Sequence, residues 1–205
     1  MHEGYPFAER IRGRAPDRVN VLEPAPFASL LTRHELIRTD PMAKEKPPRT
    51  IRETRHESSR IMMPLDANPL GNVYGGTIMK YIDEVAAVSA ARHSRSNVVT
   101  ASIERMDFLQ PVYIGNLLIL KSAVVYTGRT SMIVGVKVEA EDVQSGRRIQ
   151  TGSCYLTFVS LDRKGRPAPV APIVPSDEEE KRWSARGLKL YHLRKALLAA
   201  MRPGA

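Results

Sequence analysis

The stretch "LDANPLGNVYGGTIMKYIDEVAA", residues 65–87, decides the fold of this 205-residue chain. Its first half is dense in turn-forming residues, with two asparagines and three glycines, and its second half has the periodicity of a helix. The apolar side chains of residues 75–92 fall on one helix face, which predicts a long helix there. Asp83 lies within that apolar arc, although carboxylates normally face water.

An acid on an apolar helix face needs an explanation, because taking an unpaired carboxylate out of water costs several kcal/mol. An ion pair with Lys80, three residues earlier, is one explanation. Lys80 is better placed for Glu84, four residues later, and it lies further round toward solvent. An acid at the rim of an apolar groove suits a general base or a nucleophile, so we predict a functional role for Asp83.

The predicted helix start offers hydrogen-bond donors to a reacting group. Gly75 and Gly76 let a substrate approach the backbone, where the first N–H groups of a helix lack intrahelical partners. Such donors stabilise a developing oxyanion, although a plain helix-start turn also uses glycines. Asn68 and Asn72 add amides in the preceding loop. Either could orient a water or a carbonyl, and either could satisfy the backbone of the turn.

After the helix the hydrophobic period changes to two, which is typical of strands. Turn sequences separate the segments, and the short connections predict that the last three strands form an antiparallel meander. With a first, edge strand over residues 50–63, the pattern predicts an α+β fold, a sheet wrapped on one long central helix. The strands predicted after the helix cover residues 98–105, 117–126, 131–141 and 147–161.

Composition divides the chain into four segments. Ser176 is predicted to cap the last helix, with Glu179 at the capping-box position. Trp183, Leu190 and Leu197 recur every seven residues, as a stripe that packs on the body or on a neighbouring subunit. The segments are a flexible N-terminal arm, 1–48; the main domain, 49–162; an extended proline-rich linker unsuited to a core, 163–175; and a C-terminal helix, 176–205.

The net charge of +9 comes from the ends of the chain, since residues 61–161 carry a net charge of only +1. No helix-turn-helix spacing, zinc-ligand pattern or aromatic RNA-binding signature accompanies it, so we expect no nucleic-acid partner and no metal. A basic surface that attracts an anionic small ligand is compatible with this charge.

The sequence also bears on the compartment. No apolar run approaches the roughly 18 residues of a membrane span, so no membrane association is expected. Cys154 is the only cysteine, which excludes an intrachain disulfide and favours a small, buried apolar side chain. The N-terminus lacks an apolar signal core and mixes acids with its arginines, unlike a transit peptide, so we expect a cytoplasmic protein.

Three stretches carry a family resemblance: "DANPLGNVYGGTIMKYIDEVAA", "VVTASIERMDFLQPVYIGN" and "YTGRTSMIVGVKVEAED". They resemble the hot-dog-fold acyl-CoA thioesterases, specifically the acyl-CoA hydrolase branch with its brain-type, cytosolic and short bacterial members. The resemblance covers residues 52–162 and continues more weakly into the tail. It implies a curved antiparallel sheet around the long helix. It also implies homodimers with active sites at the subunit interface, often assembled as trimers of dimers.

The resemblance also implies site residues. The family's catalytic asparagine corresponds to Asn68 rather than Asn72, and its catalytic aspartate corresponds to Asp83, with the two approaching from opposite subunits. Gly75 and Gly76 match glycines near the thioester carbonyl. Asp83 would then act as a general base on water or attack directly through an anhydride, and Asn68 would orient the water or the carbonyl.

The turn Arg129, Thr130 and Ser131 matches one that lies near coenzyme A in relatives, and Tyr74 stands where many members have histidine or phenylalanine.

Coenzyme A is part of the substrate, so no separate cofactor is expected. A hot-dog dehydratase is disfavoured, because none of the histidines ahead of the helix is placed to act as its base. His93, beyond the predicted helix, is expected at the surface or as a cap. A non-catalytic acyl-CoA-binding or sensing protein on the same fold is the alternative function.

Overall fold

The computed structural model describes residues 46–201, and its long helix confirms the central prediction from the sequence. Helix α1 spans Gly75–Ser94, two residues past the predicted end. It begins after Tyr74, whose backbone is extended, and it ends at Arg95, whose φ of 54° takes the chain out of helical geometry. Apart from residues 46–48, the predicted N-terminal arm lies outside the described residues, as do the last four residues of the chain.

Seven strands occur within residues 46–201: β1 (Arg49–Thr50), β2 (His56–Ile61), β3 (Asn97–Phe108), β4 (Leu117–Thr127), β5 (Ser131–Glu141), β6 (Arg148–Leu161) and β7 (Ile173–Val174). Five of them form an antiparallel sheet in the spatial order β2-β4-β5-β6-β3. The β4–β5–β6 meander is as predicted, and β3 lies beside β6 at the far edge. Helix α1 contacts all five strands, which is the predicted α+β arrangement around one central helix.

The predicted first strand, over residues 50–63, is shorter in the structure. A 3-10 turn at Arg52–Thr54 precedes β2. The buried hydroxyl of Thr54 donates to the carbonyl of Ile51 (2.8 Å) and accepts from the N–H of Val124 (2.9 Å). These hydrogen bonds hold the chain in the turn. They cannot be predicted from the hydrophobic pattern of the sequence.

The core lies between α1 and the face of the sheet that α1 covers, called the inner face below. Cys154 is 1% exposed in this core, and burial raises the pKa of its thiol to about 12, which confirms its predicted role as a buried apolar side chain. The principal core residues are Ile78, Ile82, Val85, Ala86 and Ala90 of α1, with Leu118, Leu120, Val124, Val134, Val136, Leu156 and Phe158 of the sheet.

The predicted linker, residues 163–175, packs against the domain, so the expectation that it is unsuited to a core is wrong. Val170 belongs to the core cluster, and Ala171 is also buried. The N–H of Val170 donates to the carbonyl of Arg129 (3.0 Å), and β7 pairs in parallel with β1. The non-proline residues of the segment thus supply backbone bonds that tie an extended chain to its neighbours.

His93 is 2% exposed, so the expected surface or cap position is wrong. Its Nε2 lies 2.8 Å from the carbonyl oxygen of Ala171, because the proline-rich segment covers the end of α1. Within residues 46–201, Nδ1 is buried without a hydrogen-bond partner. Desolvation lowers the pKa of His93 and holds its ring neutral.

Helix α2 spans Glu178–Ala200, and its cap lies one residue later than predicted. Asp177, rather than Ser176, accepts from the helix, through its Oδ1 and the N–H of Glu180 (2.8 Å). The side chain of Glu180, rather than Glu179, reaches back to Ser176, accepting from its N–H (2.8 Å) and its hydroxyl (2.7 Å). Glu180 is fully buried and also accepts from Arg55 at 3.4 Å, so this choice depends on tertiary packing.

Helix α2 packs on the outer face of the sheet, opposite α1. Gly187 is buried against Val125 and Tyr126 of β4, and the ring of Tyr191 packs against that of Tyr126 at a tilt of 46°, with centroids 5.0 Å apart. Of the predicted stripe of Trp183, Leu190 and Leu197, Trp183 is half-buried at this surface, whereas Leu197 is 60% exposed. Neither α1 nor α2, the two α-helices in the described part of the chain, has the combined length and apolarity of a membrane span.

Candidate active site

Asp83 sits near the middle of α1 and faces β3, half-buried. The hydroxyl of Thr100 donates to its Oδ1 at 2.6 Å. Lys80 pairs with Glu84 instead, at 3.8 Å, as predicted, so an ion pair with Lys80 does not explain the buried acid. The Thr100 hydroxyl, a neutral donor, therefore orients this carboxylate on the helix face that the sequence predicted.

Thr100 was missed by sequence reasoning. It lies on the inner face of β3, a row that otherwise holds apolar side chains such as Val98 and Met106. A hydroxyl in an inward-facing row, on the strand that follows the helix, is the signal that could have found it. The signal was obscured because the pairing of β3 with β6 shifts register between Thr100 and Ser102, which breaks the simple alternation of faces.

The start of α1 keeps its backbone donors available. In the described part of the chain, Tyr74, the residue before the helix, makes no side-chain capping bond, and the first turn contains no acidic residue. Gly76 is exposed, and the space that a β-carbon would occupy is open. Gly75 lies against the ring of Phe108, where an added β-carbon would be 3.1 Å from Cζ. A small group can therefore reach the N–H donors of the first turn beside an aromatic ring.

Asn68 is fixed inside its own loop. Its Oδ1 accepts from the N–H of Leu70 (2.9 Å) and of Asn72 (3.2 Å), and its backbone N–H donates to the carbonyl of Asn72 (2.7 Å). With Oδ1 engaged, the group that Asn68 can offer to a ligand is its Nδ2 amide, a donor. Asn68 makes hydrogen bonds within its own loop, and Asp83 makes its hydrogen bond with β3. No hydrogen bond joins Asn68 to Asp83 within residues 46–201.

Exposed apolar side chains surround the loop and the helix start. Leu65 is 97% exposed and Leu70 is 85% exposed, on either side of Asn68. Phe108 beside Gly75, and Tyr113, whose backbone bridges to the Asn68 loop, are exposed as well. A hydrophobic surface of this kind marks a place for an apolar ligand or another protein surface.

The turn of Arg129, Thr130 and Ser131 joins β4 to β5 at the end of the sheet opposite the start of α1. Thr130 and Ser131 are buried, whereas Arg129 is exposed. Met132, next to this turn, lies in the same row of paired residues across the strands as Thr100. Val138 lies in the same cross-strand row as Phe108. The six residues between these rows span about 20 Å, so the turn is far from the helix start within one chain.

A cleft of about 650 Å³ lies on the outer face, between α2 and the sheet. Its lining includes Lys121, Tyr155, Trp183 and Arg186. Asp83 belongs to α1 on the inner face, so this cleft is not part of the Asp83 site.

Comparison with known proteins identifies relatives of this chain. Residues 70–146 match the family described as the thioesterase superfamily. An uncharacterised acyl-CoA thioester hydrolase of Bacillus subtilis, YkhA, is 42% identical over 132 residues, which are 64% of this chain and 77% of that protein. A cytosolic acyl coenzyme A thioester hydrolase of Rattus norvegicus is 34% identical over 151 residues. The match covers 73% of this chain and only 40% of that longer relative.

Solved structures agree with the fold. An acyl-CoA hydrolase from Staphylococcus aureus, in complex with butyryl coenzyme A, coenzyme A and coenzyme A disulfide, has a TM-score of 0.71 and 35% identity over 75% of this chain and 94% of that one. An apo-hexameric acyl-CoA thioesterase has a TM-score of 0.72 and 39% identity over 77% of this chain and all of that one.

The Staphylococcus aureus enzyme was also studied as alanine variants of one aspartate, one asparagine and one threonine. In that enzyme the asparagine precedes the aspartate by 15 positions and the threonine follows it by 17. Asn68, Asp83 and Thr100 have the same two spacings. The triplet that local geometry and resemblance single out here is therefore spaced like the positions altered in that enzyme.

Proposed function

Because the chain belongs to the hot-dog-fold acyl-CoA thioesterases, we propose that it hydrolyses acyl-CoA to a free fatty acid and coenzyme A. The observation that carries the proposal is Asp83, a half-buried carboxylate on an otherwise apolar helix face, fixed by Thr100 at 2.6 Å. Family membership makes the protein a thioester hydrolase. The roles of individual residues are the proposal.

Asp83 takes a proton from water, and the water oxygen forms a bond to the thioester carbonyl carbon. The carbon–sulfur bond then breaks, and coenzyme A leaves with a proton returned from Asp83, so that atoms and charge balance. General base catalysis of this kind contributes about 10²- to 10⁴-fold. Direct attack by Asp83, with water hydrolysing the resulting anhydride, gives the same products and also requires the carboxylate.

The first N–H groups of α1, at Gly75 and Gly76, receive the developing oxyanion. The absence of a side-chain cap at this helix start supports the role, since a capping side chain would compete for the same donors. One donor of this type is worth about 10²- to 10³-fold in kcat in acyl-transfer enzymes. Asn68 orients the attacking water or the carbonyl through its Nδ2 amide, since its Oδ1 accepts bonds from the loop.

The site is proposed to be completed between two copies of the chain, with Asn68 and Asp83 from different subunits. The exposed apolar side chains Leu65 and Leu70 beside Asn68 support this, because a partner or an acyl chain would cover them. A homodimer, or a trimer of dimers with as many copies as the hexameric relative, would bring a partner's loop to Asp83. Nucleic acid and membrane have no part in the proposed reaction.

Arg129 is proposed to meet the phosphates of coenzyme A, because its side chain is exposed and cationic. Thr130 and Ser131 are buried, so any contribution from them to coenzyme A binding comes through the backbone of the turn. No separate cofactor enters this scheme.

Thiol release from acetyl-, hexanoyl- and palmitoyl-CoA tests the proposal. Asp83→Asn should lower kcat by about 10²- to 10⁴-fold. Glu84→Gln is the matched control, because Glu84 is an exposed acid on the next position of the same helix. Near-normal turnover by Asp83→Asn would remove this carboxylate from the reaction. If the wild type is inactive at all chain lengths yet binds acyl-CoA tightly, the protein is a binding or sensing protein instead.

Shared active sites have their own test. Asn68→Ala and Asp83→Ala chains are each expected to be inactive alone, whereas mixed dimers should regain activity at the sites that combine the two intact residues. Dimers verified to contain one chain of each kind, but lacking any recovered activity, would contradict a site shared between subunits.

A further inference from the structure

The edge strand β3 carries an irregularity next to the proposed active site. Thr100 pairs with Phe158, and the next paired residue is Ser102 opposite Thr157, so Ala101 is an extra residue. In a regular strand, residues two apart face the same side, and one inserted residue reverses this relation. Thr100 therefore faces α1 on the inner side, and Ser102 faces α2 on the outer side.

Ser102 belongs to a buried polar cluster on that outer side, formed with Glu104, Thr157 and Arg194. Arg194 donates from Nη1 to Glu104 Oε1 at 3.0 Å and to the hydroxyl of Ser102. The hydroxyl of Ser102 donates to Glu104 Oε1, which also accepts from Thr157 at 2.6 Å. The side chains of Arg194 and Glu104 are only 14% and 12% exposed, so solvent screens this ion pair weakly.

The cluster fixes a stretch of β3 that the backbone ladder holds loosely. Within residues 46–201, β3 pairs only with β6, and a second register shift follows between Ile103 and Arg105. Because the two register shifts lie so close together, backbone pairing alone does not set the direction of the side chains between them. Their direction depends on the side chains that they contact. Thr100 contacts Asp83 on the inner side, and Ser102 contacts Arg194 on the outer side.

We propose that Arg194 is a positioning residue for the thioester hydrolysis, because it holds Ser102 on the outer side of the bulge and thereby keeps Thr100 aimed at Asp83. The inference rests on the proposed function. Arg194 lies in α2, outside the residues 70–146 that match the family, so the C-terminal helix of this chain would tune a site on the other face of the sheet.

Another Arg–Glu pair fastens the same helix and provides a matched control. Arg55 pairs with the buried Glu180 in the first turn of α2, at 3.4 Å. Arg55 lies just before β2, at the opposite edge of the sheet from β3. Removing either arginine weakens the attachment of α2, but only Arg194 contacts the bulge.

The experiment compares Arg194→Met, Arg194→Lys and Arg55→Met in the full-length chain, measuring kcat and KM for hexanoyl-CoA and the thermal midpoint. Arg194→Met should lower kcat about tenfold or more while KM changes less than about twofold, because the reacting acid is misdirected and the binding surface is not. Arg194→Lys should recover part of kcat, since it keeps a cation near Glu104. Arg55→Met should lower the thermal midpoint and leave kcat within about twofold of wild type.

Ser102→Ala gives an independent version of the test, because it cuts the link to the bulge and leaves the Arg194–Glu104 ion pair in place. It should lower kcat about threefold or more with little change in the thermal midpoint. A crystal structure of Ser102→Ala should also show a longer Thr100–Asp83 distance than the 2.6 Å of the wild type.

Wild-type kcat in Arg194→Met or Ser102→Ala would overturn the positioning role. So would an equal loss of kcat in Arg55→Met, which would indicate a general effect of loosening α2, or a kcat of Arg194→Lys no higher than that of Arg194→Met. An unchanged Thr100–Asp83 distance in Ser102→Ala would overturn it without reference to activity. If the wild type is active and loses activity with Asp83→Asn, these outcomes count against the role of Arg194 alone and leave the proposed function intact.

Discussion

Replacing Thr100 with valine removes one hydroxyl and keeps the shape of the side chain, so it tests the contact that fixes Asp83. The distance from Thr100 Oγ1 to Asp83 Oδ1 is 2.6 Å, within the range of charge-assisted O–H···O⁻ bonds. A hydrogen bond to a charged group contributes about 1.5–3 kcal/mol. If the bond orients the carboxylate in the transition state, losing it lowers kcat about 10- to 160-fold, since 1.36 kcal/mol corresponds to tenfold.

Initial rates of thiol release at saturating hexanoyl-CoA give kcat directly, and a substrate series gives KM. Thr151→Val is the matched control, because Thr151 is a buried threonine of β6 whose hydroxyl, within residues 46–201, makes only a long bond, 3.4 Å, to the carbonyl of Val138. A kcat within about twofold of wild type in Thr100→Val would refute the reasoning. An equal loss of kcat in Thr151→Val would refute it as well, because the effect would then follow from any threonine lost from the sheet.

Two further predictions concern stability, measured by urea unfolding. The folded state depresses the pKa of buried His93 below its ordinary value of about 6.5, so its stabilising contribution is present above that pH and is lost as the pH falls. The free energy of unfolding should therefore drop more between pH 8 and pH 5.5 in the wild type than in His93→Gln, which can still donate to Ala171. Gly187→Ala should destabilise the protein by about 1–3 kcal/mol, because the added β-carbon would lie 2.8 Å from Tyr126 Cβ. The control for Gly187→Ala is Gly76→Ala, which lies in open space on α1 and should be neutral or stabilising by up to about 1 kcal/mol.

Each of these stability predictions has a result that contradicts it. Equal pH dependence in the wild type and His93→Gln would show that the buried ring does not titrate with unfolding. Equal unfolding free energies for Gly187→Ala and wild type would show that α2 can move away from β4 without loss.

The sequence predicted the elements whose signal is local. The helix over residues 75–92 and the three-strand meander followed from hydrophobic periodicity, and both are present. The position of Asp83 on the apolar arc is a matter of angle along one helix, so it could be read without the sheet. The pairing of Lys80 with Glu84 also depends only on spacing along that helix.

The cap of α2 and the proline-rich segment could not be read in the same way. Asp177 and Ser176 are both good capping residues, and the buried position of Glu180 beside Arg55 selects between them. Val170 and Ala171 enter the interior because the end of α1 and the β4–β5 turn leave a surface that this segment covers. That surface exists only once distant parts of the chain are assembled.

By itself, then, the sequence determined that a long helix would carry an acid toward its own core, because helical angle depends on nothing but residue number. It also determined the alternation of the strands that follow. Only the tertiary structure decided that Thr100 meets this acid and that Arg194 contacts the other side of the same strand. The reason is the extra residue Ala101, since a bulge changes which face each later side chain occupies and leaves no mark in the hydrophobic pattern.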